Sequence, residues 1–549
     1  NYTNSKEFTK LRSKIMNTKY NNAFVADYYH KSDKSYFEKY LQEEIDFLLT
    51  ASANELHEVK FDDIYVSKPD EEDTLRKLLK PSFSDKIIYL TGVTGVGKTM
   101  LLRKVFQIHN MTPIIIDDTN TMVIPISFDN IKKSMDEDMP VSTAIKLMFS
   151  DIISNACEYI ENTFSDINIP SESNINTISD FYKFLKTQRG DIAQYSNTFP
   201  RLSIIERISS FARDDTLTFN CGLLKYYLNQ PACSIDNVIF IVDDVEGVGG
   251  SNEIIPVNTI FEVMTCMQNP YEKKCWTANA IISCRHYVYR LIRYGTYLDS
   301  DDMGEIKQLF ESYSRGDLCP LNSPPPILEI VEKRYDAIFQ IKKNQRWVDA
   351  MNVIKFVLVI DDTVGDFLLN LNIKNARSTL STIKTLVYNR RWIQRDYKET
   401  VSGAFRIESI RQYDTTPATL IRAIGMEESQ IYSSNESIIP NLLRNTQNED
   451  DHLFILLTLK YFMELSNYKH MNWNNSLDIE KFYHETDMIF KDAQYQQYFK
   501  DSIQYLLTKR MLLRSIDQLQ IDTKPVSSSN ANDMKKVYVS DAALDLWKN

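Results

Sequence analysis

The chain predicts an α/β fold: a mostly parallel sheet covered on both faces and interrupted by a helical insertion. An α-helical segment follows, and then a unit of three helices and two short strands. Three observations carry this. Lys86-Ile-Ile-Tyr-Leu-Thr91 is an apolar strand that runs directly into a Gly-rich turn and an amphipathic helix. Apolar runs at Val123–Phe128, Val238–Val242 and Ala280–Cys284 alternate with long helical stretches, the order that builds a parallel sheet. After Ser323-Pro-Pro-Pro326 the chain reads as almost continuous helix.

Taken in order, residues 1–60 form an N-terminal helical segment, with periodicity strongest in Tyr36–Leu49. Phe61–Val66 reads as a short strand, and Asp70–Leu79 as a helix with acidic residues in its first turn. The core spans 61–322, with a helical insertion near 150–230; Ser142–Thr163 and Asp180–Lys186 are its clearest helices. A helical lid occupies 323–400, and 401–549 holds a helical linker and a terminal unit. In that unit Leu453–Leu465, Leu477–Tyr483 and Tyr495–Thr508 are amphipathic helix candidates. Met511–Ile516 and Lys535–Val539 are strands around the polar loop Pro525–Asn532. Three helices and a two-stranded wing are the order of a winged-helix domain.

A chain of 549 residues suggests roughly three or four domains. Gly and Pro are scarce and Tyr and Phe plentiful, against long disordered segments. The formal charge is −11, so whole-chain electrostatics do not draw the protein onto nucleic acid; such contact needs a local basic face. Seven dispersed cysteines without a C-x-x-C pair fit a reducing cytosol. The nine-residue spacing of Cys266, Cys275 and Cys284, with His286 nearby, is no zinc-knuckle geometry, and buried free thiols are the better reading. No apolar run approaches the ~20 residues that span a bilayer, and no signal peptide is visible, so a cytoplasmic protein without membrane contact is expected.

Gly92-Val-Thr-Gly-Val-Gly-Lys-Thr99 fits the P-loop pattern G-x-x-x-x-G-K-[ST] in full. Gly92, Gly95 and Gly97 let successive N–H groups converge on phosphate oxygens, and the following helix aims its N-terminus at the same anion. Lys98 is expected to reach the β- and γ-phosphates, and the Thr99 hydroxyl to hold Mg²⁺. With Val93, Thr94, Val96 and Met100 these residues form the candidate ATP-binding loop of a P-loop NTPase.

A P-loop also needs an acidic strand end. Three places offer apolar residues followed by Asp-Asp. Ile114–Asp118 comes too soon after Thr99 for a helix and crossover, and Phe356–Asp362 lies in a stretch that reads as helix. Val238-Ile-Phe-Ile-Val-Asp-Asp244 fits best: Asp243 is expected to bind Mg²⁺ and Asp244 to polarise the attacking water, with Glu246 as its rival. Arg285 closes the next strand, where a cation can sense nucleotide or steady transition-state charge, or can simply pair with a surface acid.

Together these pieces resemble the AAA+ and STAND superfamily of ATPases. Asp243-Asp-Val245 looks like the STAND form of Walker B, and Arg285 is similar to the arginine that ends the sensor strand. Ile327–Arg334 and Leu371–Leu380 are similar to the lid of the origin-recognition branch. The second of these carries an Asn-x-Arg segment that would make Arg377 the lid's contact to ATP. A winged helix also follows the lid in that branch. The resemblance covers roughly residues 61–400. Walker B carries Asp244 where AAA+ proteins usually have Glu, which implies slow or partner-stimulated turnover. Arg290 and Arg293 follow the sensor strand where a finger would sit.

Three functions compete. The first is an ATP-driven regulatory switch acting on a separate protein effector, as in the ATPase components of bacterial antiphage defence or mobile-element systems, since no nuclease or protease constellation appears outside the core. The second is a DNA-binding AAA+ ATPase of the replication-initiator or transposition-regulator kind, for which Lys384, Arg390, Arg391, Arg395 and Lys398, interleaved with Tyr388, Trp392 and Tyr397, are the best basic cluster. The third is a nucleotide-binding scaffold with little turnover. AAA+ relatives commonly assemble, so the resemblance also implies a homo-oligomer.

Overall fold

The computed structural model describes residues 36–50, 59–80, 85–108, 112–128, 139–171, 174–187, 203–248, 254–267, 276–285, 288–289, 316–359, 364–372, 375–388, 424, 454–465, 477–478, 484, 493–508, 511–513 and 536–539. Their elements in chain order begin with helices α1 (Tyr36–Leu48), α2 (Phe61–Ile64) and α3 (Pro69–Arg76), strand β1 (Ile87–Gly92) and helix α4 (Lys98–Phe106). Strands β2 (Ile114–Ile116) and β3 (Thr121–Ser127) follow. Helices α5 (Val141–Thr163), α6 (Ile175–Thr187), α7 (Ile204–Asp214) and α8 (Thr216–Leu228) then precede β4 (Asn237–Asp243). After it come α9 (Ile255–Met267), β5 (Thr277–Cys284) and β6 (Asp317–Leu321).

These strands form one sheet in the order β2-β3-β4-β5-β1-β6, parallel throughout except for the β2–β3 pair. Strand β4 shows why a near-continuous apolar run makes a central strand. Val238, Phe240 and Val242 enter the core on one face, and Ile239 and Ile241 enter the core on the other. A period of two with both faces covered needs apolar residues at every position. Full burial of each is worth about 1.5–3 kcal/mol before conformational entropy is subtracted. The first face is covered by α5, α8 and α9, the second by α4.

Helices α5–α8 lie between β3 and β4, where the insertion is expected. Ser203 and Glu206 form a reciprocal capping box that starts α7. Aromatic contacts between Phe181 and Phe219 and between Phe211 and Phe219 tie α6 and α7 to α8.

The chain continues with α10 (Ile327–Ile341), α11 (Gln345–Val359), α12 (Val364–Leu371), α13 (Ala376–Tyr388) and α14 (Phe454–Leu465). Strand β7 (Leu477–Asp478), helix α15 (Ala493–Thr508) and strands β8 (Leu512–Leu513) and β9 (Lys536–Val539) complete it. Leu41, Ile45, Leu48 and Leu49 of α1 and its end share a core with Val331, Trp347, Ile354 and Leu386, and with Phe462 and Leu506 further on. The N-terminal helix thus packs among the helices that follow the Pro-rich boundary. Arg334, 5% exposed, donates from Nη1 to the carbonyls of Leu48 (2.9 Å) and Thr50 (2.8 Å), the first of them an acceptor at the end of α1.

Three sequence expectations change. Phe61–Val66 is not a strand: Phe61–Ile64 is a helical turn, helped by Asp62 and Asp63 at its start and by stacking of Phe61 on Tyr65. Leu477–Tyr483 does not begin as a helix, because Leu477 and Asp478 pair antiparallel with Val537 and Lys536. Strand β6 was not expected at all. Pro320 argues against a strand, yet β6 is the sheet's edge, where a missing N–H is tolerated. The C-terminal strands form a three-stranded sheet, β7-β9-β8. Among the described residues no helix is long and apolar enough to cross a membrane.

Candidate functional site

The site is built at one edge of the parallel sheet. Because β1, β4 and β5 run the same way, the Gly-rich loop, Asp243 and Arg285 all emerge from carboxyl ends, the edge where open α/β sheets bind ligands. Strand β5 lies between β1 and β4, so Arg285 leaves the sheet between the loop and the acidic pair.

Gly92 ends β1, and Val93, Thr94, Gly95 and Val96 form the turn that leads to α4. Gly95 and Gly97 have φ of +77° and +103°, a region that side chains disfavour. Val96 is fully buried in the core beneath and anchors the loop. Gly97 is the N-cap of α4, so Lys98, Thr99 and Met100 form its first turn. Unpaired N–H groups of that turn and the helix dipole favour an anion there. The Lys98 ammonium folds back over the loop and donates to the carbonyl of Gly92 at 2.7 Å.

Thr99 Oγ1 donates to Asp243 Oδ2 at 2.7 Å, and the other carboxylate oxygen of Asp243 accepts the backbone N–H of Asp244 at 3.0 Å. Asp243 is 5% exposed. The hydroxyl and carboxylate thus meet beside the loop as two hard oxygen donors, the type that Mg²⁺ takes. Asp244 adopts a left-handed backbone conformation with φ of +56° and is partly exposed. Its carbonyl accepts the N–H of Gly247 at 2.8 Å, closing the short turn Val245–Gly247 that contains Glu246. The Glu246 side chain lies outside the described residues. Arg285 directly follows β5 and is partly exposed.

The other Asp-Asp pairs stand elsewhere. Asp117 and Asp118 occupy a turn after β2, at the far edge of the sheet. Phe356–Val359 is the end of helix α11, and Asp361 and Asp362 lie outside the described residues. So do Arg290 and Arg293, and Cys275 and His286. Cys266 and Cys284 form no disulfide among the described residues.

Arg377 stands exposed in the first turn of α13. Two residues earlier, Asn375 reaches the loop itself: a Cβ added to Gly95 would collide with the Asn375 carboxamide. The sequence reading did not single out Asn375, although it is the first residue of the Asn-x-Arg segment. Of the basic cluster, the described member Lys384 pairs with Asp46 of α1 at 3.1 Å, and Tyr388 donates to the same carboxylate at 2.7 Å. Those two side chains hold α1 against α13. Residues 390–398 lie outside the described set.

No protein-family model and no curated protein matches the chain. Among solved structures it is similar to the ORC2 protein of Aeropyrum pernix in ADPNP–ADP complexes, at 11% identity and a TM-score of 0.31, covering 81% of this chain and 87% of that one. It is also similar to Cdc6p from Pyrobaculum aerophilum, at 14% identity and a TM-score of 0.28, with 89% and 96% covered. Drosophila ORC bound to DNA follows at 11% identity and a TM-score of 0.28, with 93% and 91% covered. These likenesses are distant, and the functional reading rests on the site's own geometry.

Proposed function

We propose that this chain binds ATP with Mg²⁺ at the Gly92–Thr99 loop and hydrolyses it as a regulatory switch acting on a protein partner. The observation that carries the reading is the meeting of Thr99 and Asp243, 2.7 Å apart, beside a complete P-loop. The loop's N–H groups and the start of α4 bind the phosphates, and Lys98 exchanges its carbonyl partners for phosphate oxygens. Thr99 and Asp243, directly or through water, would hold Mg²⁺, which would supply positive charge beside the phosphates. Asp244, with Glu246 as the alternative, polarises the attacking water, and Arg285 steadies the transition-state charge.

Arg377 and the lid close over the nucleotide, so occupancy sets the arrangement of core and lid. The switch acts on a separate effector chain, in the manner of antiphage defence ATPases. The short acid Asp244 keeps intrinsic turnover slow until the partner or a second copy of the chain completes the site.

The test is ATP binding and turnover by the purified chain, with and without duplex DNA, beside Lys98→Ala. Mg²⁺-dependent binding that disappears in the variant, with turnover indifferent to DNA, is expected. Normal ATP affinity in Lys98→Ala removes the site assignment. Stimulation by DNA replaces the protein-directed switch with a DNA-binding ATPase.

A further inference from the structure

We propose that Asn375 is a nucleotide-positioning residue, whose side-chain amide donates to the phosphate oxygens held by the loop and so latches the lid to the core. This rests on the ATP-binding reading above and adds to it a residue and a contact.

The argument starts from how Asn375 is held. Its Oδ1 accepts the backbone N–H of Ser378 at 3.1 Å, and its backbone carbonyl accepts the N–H of Thr379 at 2.9 Å, so it caps helix α13. That bond assigns the two ends of the carboxamide: the oxygen is spent on the cap, and the Nδ2 amide keeps its two donors. Among the described residues no hydrogen bond is found from those donors. The same carboxamide lies against Gly95: a Cβ there would collide with Oδ1, and Nδ2 stands 3.4 Å from the same point. Gly95, with its positive φ, sits in the turn whose N–H groups face the phosphate site. A cap of the lid's helix therefore stands at the phosphate loop with a donor to spare. Asn375 also adds a neutral donor where Arg377, exposed in the same turn, adds charge.

The capping role makes a clean test possible, because Asp and Ser cap helices about as well as Asn. Asn375→Ser keeps the cap and removes the amide. Asn375→Asp keeps the cap and sets a carboxylate against the phosphates. Both variants of the full chain should melt within a few degrees of wild type. ATP affinity, by calorimetry with Mg²⁺, should fall about tenfold in Asn375→Ser, the loss of one hydrogen bond to a charged group. Asn375→Asp should lose more, and added salt should recover part of that extra loss by screening the repulsion. Wild-type affinity in either folded variant overturns the proposal. Equal losses that ignore salt also overturn it, since they mark a packing role alone. Failure of wild type itself to bind ATP would overturn the ATP site instead, so the two readings fail separately.

Discussion

Thr99 and Asp243 are hydrogen-bonded at 2.7 Å although 144 positions separate them in the chain. The contact exists because β4 and the loop after β1 end at the same edge of a parallel sheet, with only β5 between them. Asp243 also accepts the N–H of its neighbour, so both its oxygens are engaged and its orientation is set. Asp243→Ala should leave ATP binding without Mg²⁺ largely intact. Its apparent affinity for Mg²⁺ should fall about 10–100-fold. Turnover titrated with Mg²⁺ measures this, and an unchanged titration would take Asp243 out of the metal site.

Asp244 is suited to a sharp substitution. Its left-handed backbone is one that Asn adopts nearly as readily, so Asp244→Asn changes charge without disturbing the turn. ATP should remain bound while turnover drops about 100-fold or more. Unchanged turnover moves the role to Glu246, and Glu246→Gln then becomes the inactive variant.

Arg334 ties α1 to α10 through the carbonyls of Leu48 and Thr50. Burial lowers its pKa to about 10, the cost of enclosing a guanidinium away from water. Arg334→Ala removes two charge-assisted hydrogen bonds, one of them to the buried carbonyl of Leu48. A destabilisation of about 2–4 kcal/mol is expected, seen as a lower denaturation midpoint and earlier proteolytic release of the N-terminal helix. A wild-type midpoint would show that the apolar seam alone holds α1.

Glu72 supplies a pH dependence. Burial pushes its carboxyl up, but bonds from Ser67, the Lys68 backbone N–H and Arg76 together pull it below 4.5, its ordinary value. A carboxylate lowered on folding stabilises the protein above its unfolded value and loses that contribution as pH falls through the folded one. Glu72→Gln should therefore cost about 1–2 kcal/mol near pH 7. Its midpoint should converge on wild type as pH drops below 4.5. A gap constant from pH 7 to 3 would show that charge is not what Glu72 contributes.

Local pattern was enough for the strand, turn and helix around Gly92–Thr99. Glycines at fixed offsets, an apolar run before them and an amphipathic run after them all act within a few residues. The same holds for β3, β4 and β5 and for the long helix α5, whose periods are repeated several times over. Short elements were not legible in this way. Phe61–Ile64 and Leu477–Asp478 are too brief for a period, so an aromatic stack decided one and a distant strand the other. Pro320 hid β6, whose place at the sheet edge is a property of the whole sheet.

The sequence by itself determined that the chain carries a complete P-loop pattern between a strand and a helix of an α/β core, because that pattern is specified by residues adjacent in the chain. Only the tertiary structure showed that Asp243, the acid the sequence favoured, hydrogen-bonds Thr99, that Asn375 lies on Gly95, and that α1 packs among the helices after the Pro-rich boundary. Each of these joins distant segments, and sheet order and side-chain packing, which no local pattern encodes, select the partners.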